Sequence, residues 1–343
     1  MRHLLFPLSL IYMFISSFRN ILFDYGFFKS KSHRVPIICV GNLSAGGSGK
    51  TPHTQYIISI LKKYNFKIAI VSRGYGRSTT SLRYVETDSK PEEVGDEPLL
   101  IKMNYPQYIV VVEKDRNKGV EKILKDFPET EVIILDDGFQ HRWIKPALNI
   151  LITKYELPYY KDFIMPTGNL RESRAGSKRA QVIIVSSTPE KTLSAKKKNM
   201  ISKLKCLGEQ SVYFSNIKYK IWRSVFTNKE FQNKKIYSIT LVTGVANSKG
   251  ICSDLLKLGH KVNHLKYSDH HNYSNKDINN ILVKFDADKS TKKLILTTEK
   301  DATKLKQFKI KFMNIDIYFV PIKISMEENN RFEKNILEYV TKN

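Results

Sequence analysis

A glycine-rich stretch near the amino terminus has the residue types needed to bind phosphate. Residues 41–51 read GNLSAGGSGKT and lie between an apolar run and a segment with helical periodicity. Gly46, Gly47 and Gly49 would let backbone N–H groups approach a phosphate closely. Lys50 could then reach the β- and γ-phosphates of ATP, and the Thr51 hydroxyl could bind Mg²⁺. The predicted nucleotide-binding residues are Ser44, Ala45, Gly46, Gly47, Ser48, Gly49, Lys50 and Thr51. The strict G-x-x-x-x-G-K-[ST] pattern has glycine at the position of Ser44, so the loop departs from it at one small residue.

Two adjacent acids follow an apolar run in EVIILDDGFQH. A phosphate-binding loop needs a second metal contact from an aspartate at the end of a buried strand, and Asp136 and Asp137 occupy that position. Adjacent carboxylates repel each other unless a cation offsets their charge. A capping or turn role explains one of the two acids more easily than both.

A second acidic pair, Asp96 and Glu97, precedes an apolar helical run in VGDEPLL. Taken alone, the pair fits helix capping. The stretch YSDHHNYS contains His270 and His271, which as neighbours would not face one metal site. A catalytic histidine, or one that positions an acid, fits this pattern better.

Basic residues flank two further glycine-containing turns, VSRGYGRS and PTGNLRESRAGSKRA. Guanidinium groups on such loops suit recognition of phosphate or carboxylate. A solvated basic surface is the alternative interpretation.

The surrounding pattern predicts an α/β fold. Apolar, β-branched runs alternate with helical segments, which indicates a mostly parallel sheet covered on both faces, with its chemistry at the carboxyl ends of the strands. After about residue 187 the composition becomes basic and contains few clear strands, which suggests a hinge before a second unit. We predict a helix within 1–30, a P-loop NTPase-like kinase domain over 31–212, and a smaller α/β domain over 213–343 with the hinge near its start.

The first 28 residues are strongly apolar, with Leu8, Ile11, Ile15, Phe18 and Leu22 at helical spacing. The polar flank is basic (Arg2, Arg19, Lys29, Lys31 and Arg34 against Asp24), which favours an amphipathic helix lying in an anionic membrane interface. Packing on the protein core and a true membrane span are the alternatives.

The overall charge is strongly positive, with 57 basic and 33 acidic residues and a formal net charge of +24. Such a surface attracts polyanions, namely nucleic acid, anionic lipid or phosphorylated substrates. Three cysteines without C-x-x-C spacing argue against a disulfide framework or a structural zinc site.

Together the motifs resemble one family, the tetraacyldisaccharide 4'-kinases of lipid A biosynthesis. The resemblance covers nearly the whole chain, and its most specific parts are GGSGKTP and DDGFQHR; it also includes SRGYGR, VGDEP, EKDR, PTGNLRES, LVTGVAN, DHHNYS and TTEKDATKL. Serine at position 44 is normal in that family. One departure is IIVSSTPEK, where relatives often have threonine and lysine, which weakens any nucleotide-base role for that segment.

This resemblance implies transfer of the ATP γ-phosphate to the 4'-hydroxyl of a tetraacyldisaccharide 1-phosphate, giving lipid IVA at the cytoplasmic face of the bacterial inner membrane. The implied partners are this lipid and an anionic membrane surface, with neither nucleic acid nor an obligate protein partner. The implied catalytic residues are Lys50, Asp96 and His270, with His270 orienting Asp96. The implied metal-side residues are Thr51, Glu97, Asp136 and Asp137. Tyr75 and Gln140 are expected in the nucleotide site, and Arg116, Asn169 and Arg171 at the substrate or its phosphates.

Two other functions share part of this pattern. A GTPase has the same loop and strand-end aspartate, but its N-K-x-D or T-K-x-D motif has only imperfect counterparts here, TKYE at 153–156 and TEKD at 298–301. A nucleic-acid-binding protein would account for the charge but not for the apolar amino terminus, and no recognised nucleic-acid motif is present.

Overall fold

The computed structural model describes residues 2–232 and 235–342, without the side chains of Arg2 and His3. Met1 and Asn343, which the predicted domain bounds include, lie outside the described residues, as does the side chain of Arg2 in the predicted basic flank. The chain has the predicted α/β fold, with two mostly parallel sheets and an apolar amino-terminal helix.

Within the described residues, the first sheet has nine strands in the order β14-β8-β7-β6-β1-β5-β2-β4-β3. These are β1 (Ile37–Asn42), β2 (Ile68–Ser72), β3 (Arg83–Tyr84), β4 (Ile109–Val112), β5 (Val132–Asp136), β6 (Leu148–Lys154), β7 (Val182–Ser186), β8 (Ser211–Tyr219) and β14 (Ile322–Met326). In this order, the seven neighbouring strands from β8 to β4 are parallel to one another. Only β3 and β14, at the two edges, are antiparallel to their neighbours. The six apolar runs predicted as strands of this sheet are all present, as β1, β2, β4, β5, β6 and β7, and β1 lies between β5 and β6.

Helices cover both faces of this sheet because alternate residues of each buried strand point to opposite sides. Ile38 and Val40 of β1 pack with α2 (Lys50–Lys63), α4 (Asp96–Asn104) and α10 (Asn329–Thr341) on one face. Ile37 and Cys39 pack on the other face, with α5 (Arg116–Asp126) and α6 (Ser194–Leu204). A short helix, α3 (Pro91–Val94), precedes α4.

The second sheet has five strands among the described residues, in the order β11-β10-β12-β13-β9. They are β9 (Arg223–Ser224), β10 (Ser238–Thr243), β11 (Lys261–Lys266), β12 (Lys293–Thr298) and β13 (Ile317–Val320). The helices of this part are α7 (Lys249–Lys257), α8 (Asn275–Ala287) and α9 (Glu299–Leu305).

Two strands of the first sheet come from the region predicted to follow it. The segment after residue 187 contains few strands, but one of them is the nine-residue β8, which pairs with β7 in the first sheet. β8 was not singled out from the sequence because its apolar residues do not form the β-branched run that marked the central strands. The chain also returns to the first sheet through β14, which pairs with β8. The division at 212/213 stays a prediction, and strand membership favours a second unit between Arg223 and Val320.

The chain crosses between the two sheets twice, and the crossings lie side by side. Residues 220–222 lead from β8 to β9, and Pro321 leads from β13 back to β14. The Lys220 N–H donates to the Pro321 carbonyl over 2.9 Å, so one hydrogen bond joins the two connections. Such a pair of adjacent short connections is where a hinge between the units would lie.

Candidate active site

The glycine-rich loop connects β1 to the amino terminus of α2, as a phosphate-binding loop requires. Gly46 and Gly49 have φ of +92° and +87°, which glycine adopts without strain. Ser44 has no positive φ and instead forms a backbone bridge with Leu170, so this position has no conformational need for glycine. Inside the loop, the Asn42 amide donates to Ser48 Oγ over 2.7 Å.

The two strand-end aspartates lie in different environments. Asp136 is 1% exposed and accepts a hydrogen bond from Thr54 Oγ1 over 2.8 Å. Burial, together with the nearby charge of Glu97, raises the pKa of Asp136 to about 7. For Asp137, burial acts to raise the pKa, but Lys50 and Arg171 outweigh it and lower the pKa. Asp137 lies 3.5 Å from Lys50 Nζ and 2.9 Å from Arg171 Nη2.

A charged cluster joins the two units opposite the loop. Asp96 begins α4 and is 5% exposed, and both of its oxygens lie 3.1 Å from His270 Nδ1. Lys304 Nζ on α9 lies 3.0 Å from Asp96 Oδ2. Burial acts to raise the pKa of Asp96, but the hydrogen bond from His270 and the charges of Lys300 and Lys304 lower it well below its usual range. Asp96 is therefore an ionised carboxylate fixed by groups from the second unit.

Glu97 and Lys300 extend this cluster along the cleft-facing side of Asp96. Lys300 Nζ lies 3.2 Å from Glu97 Oε1, 3.6 Å from Asp96 Oδ2 and 3.2 Å from His270 Nε2. Burial acts to lower the pKa of Lys300, but the charges of Glu97, Asp96 and Asp269 raise it. Tyr75 packs its ring edge-on against His270, with ring centroids 5.3 Å apart.

The remaining predicted residues contact the loop or Asp137. Gln140 Nε2 donates to the Asn42 carbonyl and to Glu172, each within 2.9 Å. Arg116 is 5% exposed and donates to the carbonyls of Lys114 and Asp137. Asn169 accepts from the Ala45 N–H over 2.7 Å, so its backbone supports the loop, and its side chain bonds with Asp162.

A cleft of about 1730 Å³ lies between the two units and brings most of these groups together. Its wall includes the loop from Ala45 to Thr51, and also Tyr75, Glu97, Arg116, Asp137, Gln140, Arg171, His270 and Lys300. Ser44, Asp96, Asp136 and Asn169 are not part of the cleft wall. Asp96 and Asp136 lie beneath it, one residue from Glu97 and Asp137 respectively.

Comparison with known protein families identifies the family to which this chain belongs. The family model described as tetraacyldisaccharide-1-P 4'-kinase matches residues 1–341. The chain belongs to this kinase family. It is 38% identical to the tetraacyldisaccharide 4'-kinase of Bacteroides thetaiotaomicron, with 99% of this chain and 93% of the relative covered. It is 35% identical to that of Flavobacterium johnsoniae, with 100% and 98% covered. A crystal structure of LpxK from Aquifex aeolicus in complex with ATP matches over 99% of each chain, with 30% identity and a TM-score of 0.77.

The family membership and the enzyme class predicted from the motifs are confirmed: the chain is a lipid kinase. The roles of individual residues stay predictions. The sequence did not single out Lys300 and Lys304, although the motif TTEKDATKL contains them. Their spacing of four residues on a helix, which places both on one face, was the available signal.

Three other residues around the phosphate loop were also not singled out from the sequence. Asn42 and Glu172 were not assigned because a lone amide or acid carries no spacing pattern. His53 was missed as well; it is 1% exposed and links the Gly49 carbonyl, at 2.6 Å, to Ser215 Oγ of β8, at 2.8 Å.

Proposed function

We propose that this chain transfers the γ-phosphate of ATP to the 4'-hydroxyl of a tetraacyldisaccharide 1-phosphate and so forms lipid IVA. The observation that carries the proposal is the shared cleft. Lys50 and Thr51 of the phosphate loop line the same cleft as His270, whose ring holds the Asp96 carboxylate. The phosphate loop and a carboxylate that can accept the hydroxyl proton thus lie at the same cleft, and the second unit holds that carboxylate through His270 and Lys304.

Asp96 acts on the acceptor hydroxyl in this proposal. The new bond joins the 4'-oxygen to the γ-phosphorus, the bond from that phosphorus to the β–γ bridging oxygen breaks, and ADP leaves. The hydroxyl proton passes to Asp96, held in place by His270 and Lys304. Because phosphoryl transfer is largely dissociative, orientation of the hydroxyl matters more than strong basicity, so an ionised carboxylate with a lowered pKa suits the task.

Positive groups stabilise the charge on the transferred phosphoryl group. Lys50 and Arg171 both contact Asp137 in this state, at 3.5 Å and 2.9 Å, so their charges already converge at the end of β5. Arg116 lies against the Asp137 carbonyl and also lines the cleft. Preorganised cations in a partly desolvated cleft require little rearrangement during the reaction.

The acids beside the loop suit Mg²⁺. Asp136, Asp137 and Glu97 bring negative charge together near the loop. The pKa of Asp136 is raised first by burial and then by the charge of Glu97, and a cation would offset that charge. Within residues 2–232 and 235–342, no three acid, histidine or cysteine side chains converge closely enough to hold a metal alone. This fits Mg²⁺, which keeps water and phosphate oxygens among its ligands. Thr51, Asp137 and Glu97 would hold the ion, which neutralises charge on the phosphates when bound.

Helix α1 (Phe6–Asp24) would hold the enzyme at an anionic membrane surface, where the acyl chains of the acceptor lie. Leu8, Ile11, Ile15 and Phe18 are each more than half exposed, while Leu22 is half-buried. The helix is long and apolar enough to cross a membrane by length and composition, and 11% of its apolar window is buried. Among the described residues, most of its apolar side chains therefore have no protein partner, which supports contact with lipid. We propose the cytoplasmic face of the inner membrane as the place of this contact.

A transfer assay tests the proposal directly. Wild-type chain, radiolabelled ATP, Mg²⁺ and the disaccharide 1-phosphate in detergent micelles should yield labelled lipid. Lys50→Ala should abolish transfer, and Asp96→Asn should lower kcat by about a hundredfold or more. Lys62→Ala, at the exposed far end of the same helix, is the matched control and should leave transfer unchanged. Tighter binding of GTP than of ATP, or near-normal transfer by either active-site variant, would contradict the proposal.

A further inference from the structure

The side of α1 that contacts the rest of the protein is polar, although the helix as a whole is apolar. Ser9, Tyr12, Arg19 and Asn20 recur at helical spacing, and each makes a hydrogen bond to the first unit. Most of the apolar side chains point elsewhere and stay exposed, whereas Phe23 is buried with its ring 4.9 Å from that of Trp143. Except at this carboxyl-terminal end, the helix is thus attached by specific hydrogen bonds rather than by hydrophobic packing.

One chain of hydrogen bonds leads from α1 to the phosphate loop. Asn20 Nδ2 donates to Glu172 Oε2 over 2.9 Å. The other oxygen of Glu172 accepts from Gln140 Nε2, also over 2.9 Å. The same Gln140 amide donates to the carbonyl of Asn42, where the phosphate loop begins. Two side chains therefore separate the helix from the loop.

Two further hydrogen bonds connect α1 to residues around the phosphate loop. Tyr12 Oη donates to the Arg171 carbonyl over 2.9 Å, and the Arg171 guanidinium pairs with Asp137. The Arg19 guanidinium donates to the Gln140 carbonyl over 3.0 Å. The helix thus donates hydrogen bonds to the backbone of Gln140, which contacts Asn42, and of Arg171, which contacts Asp137.

Glu172 makes this arrangement sensitive to loss of the helix contact. It is 3% exposed, and its Oε1 is already shared by Gln140 and Arg179. Asn20 supplies the hydrogen bond to Oε2. A buried carboxylate oxygen that loses its donor carries its full desolvation cost, so the carboxylate must shift, and Gln140 shifts with it.

We propose that α1 is part of the scaffold of the nucleotide site and that Asn20 is a positioning residue, which acts through Glu172 and Gln140 on the start of the phosphate loop. The proposal rests on the proposed function in taking ATP as the nucleotide. It gives α1 a second role beside membrane attachment. The two roles use opposite sides of the helix and can be separated by substitution.

The test compares substitutions on α1 in the full-length chain, solubilised in detergent. Asn20→Ala should weaken ATP binding about tenfold, measured as the equilibrium dissociation constant for ATP with Mg²⁺. In the transfer assay, KM for ATP should rise by a similar factor, while KM for the lipid acceptor stays the same. Simple loss of folded enzyme would lower kcat and leave both KM values unchanged. Tyr12→Phe removes one exposed hydroxyl without threatening the fold and should raise KM for ATP by about threefold.

Ser16→Ala is the matched control, because the Ser16 hydroxyl donates only to Met13 within the helix. It should leave the ATP dissociation constant unchanged. Ile15→Ser should lower sedimentation with anionic vesicles, whereas Asn20→Ala should not. An Asn20→Ala chain whose ATP dissociation constant and KM for ATP stay within twofold of wild type would overturn the proposal. The ATP measurement needs no lipid acceptor, so a failure of the proposed transfer reaction would be recognised separately.

Discussion

Lys304 is the most buried cation in the contact between the two units, and we expect Lys304→Met to weaken that contact. Lys304 and Asp96 are 2% and 5% exposed, and Lys304 Nζ lies 3.0 Å from Asp96 Oδ2. At an effective dielectric constant of about 20, two unit charges at this distance attract each other by about 5 kcal/mol. Removing one partner of a buried pair typically costs about 3–5 kcal/mol, because the other charge is left uncompensated.

The remaining cluster reduces this cost. In the variant, His270 at 3.1 Å and Lys300 at 3.6 Å still contact Asp96. We therefore expect a loss of about 2 kcal/mol in the free energy of unfolding, together with a fall in kcat, because Asp96 is held less firmly. The Lys304 ammonium also donates to the His271 carbonyl over 3.0 Å, so His270 loses part of its support as well.

Urea unfolding followed by tryptophan fluorescence measures the loss. Trp143 lies in the first unit and Trp222 beside the second, so Trp143→Phe isolates the second signal. Lys300→Met is the comparison variant: its removal leaves Lys304 on Asp96, so we expect a smaller loss than for Lys304→Met. In the double variant Asp96→Asn/Lys304→Met no buried charge is left unpaired, and the loss should be smaller than the sum of the single losses. Additive losses, or a Lys304→Met chain within 0.5 kcal/mol of wild type (about the limit of such measurements), would refute the reasoning.

Three further predictions concern the loop, a buried histidine and the helix. Lys50→Ala should reduce ATP affinity as well as transfer, measured by equilibrium dialysis, and unchanged affinity would remove Lys50 from the phosphate site. Burial lowers the pKa of His53 to about 4 from an ordinary value of 6.5. The neutral His53 side chain therefore contributes about 3 kcal/mol to the free energy of unfolding above pH 6.5, and this contribution is lost as the pH falls toward 4. His53→Gln should flatten that part of the plot of unfolding free energy against pH. An equally steep profile in the variant would disprove this assignment. Deleting residues 1–26 should lower sedimentation with anionic vesicles and also weaken ATP binding; vesicle binding equal to wild type would argue against the membrane role.

The central sheet could be predicted because each of its strands carries its own signal. β1, β2, β5 and β7 are buried on both faces, so they are apolar along their length and polar only at the last residue. β8 and β14 were harder to place because they pair with each other at an edge, and their burial depends on a partner more than a hundred residues away. Pro321 separates β13 from β14, and this separation is visible in the sequence. That β14 then pairs with β8 in the first sheet is decided by tertiary contacts.

The site residues divide in the same way, between local sequence patterns and contacts made only in the folded chain. By itself the sequence determined the phosphate loop, the strand-end aspartates and the family, because each is a pattern of neighbouring residues whose backbone geometry follows from local spacing. The tertiary structure alone decided that Lys304 meets Asp96, since the two residues lie on different units and are far apart in the chain. The contact between His270 and Asp96 was implied by the family resemblance, not by any local spacing. It also decided that the polar side of α1 faces the protein and the apolar side faces outward. Hydrophobic periodicity reports that a helix has two sides, but which side finds a partner depends on what the rest of the chain presents to it.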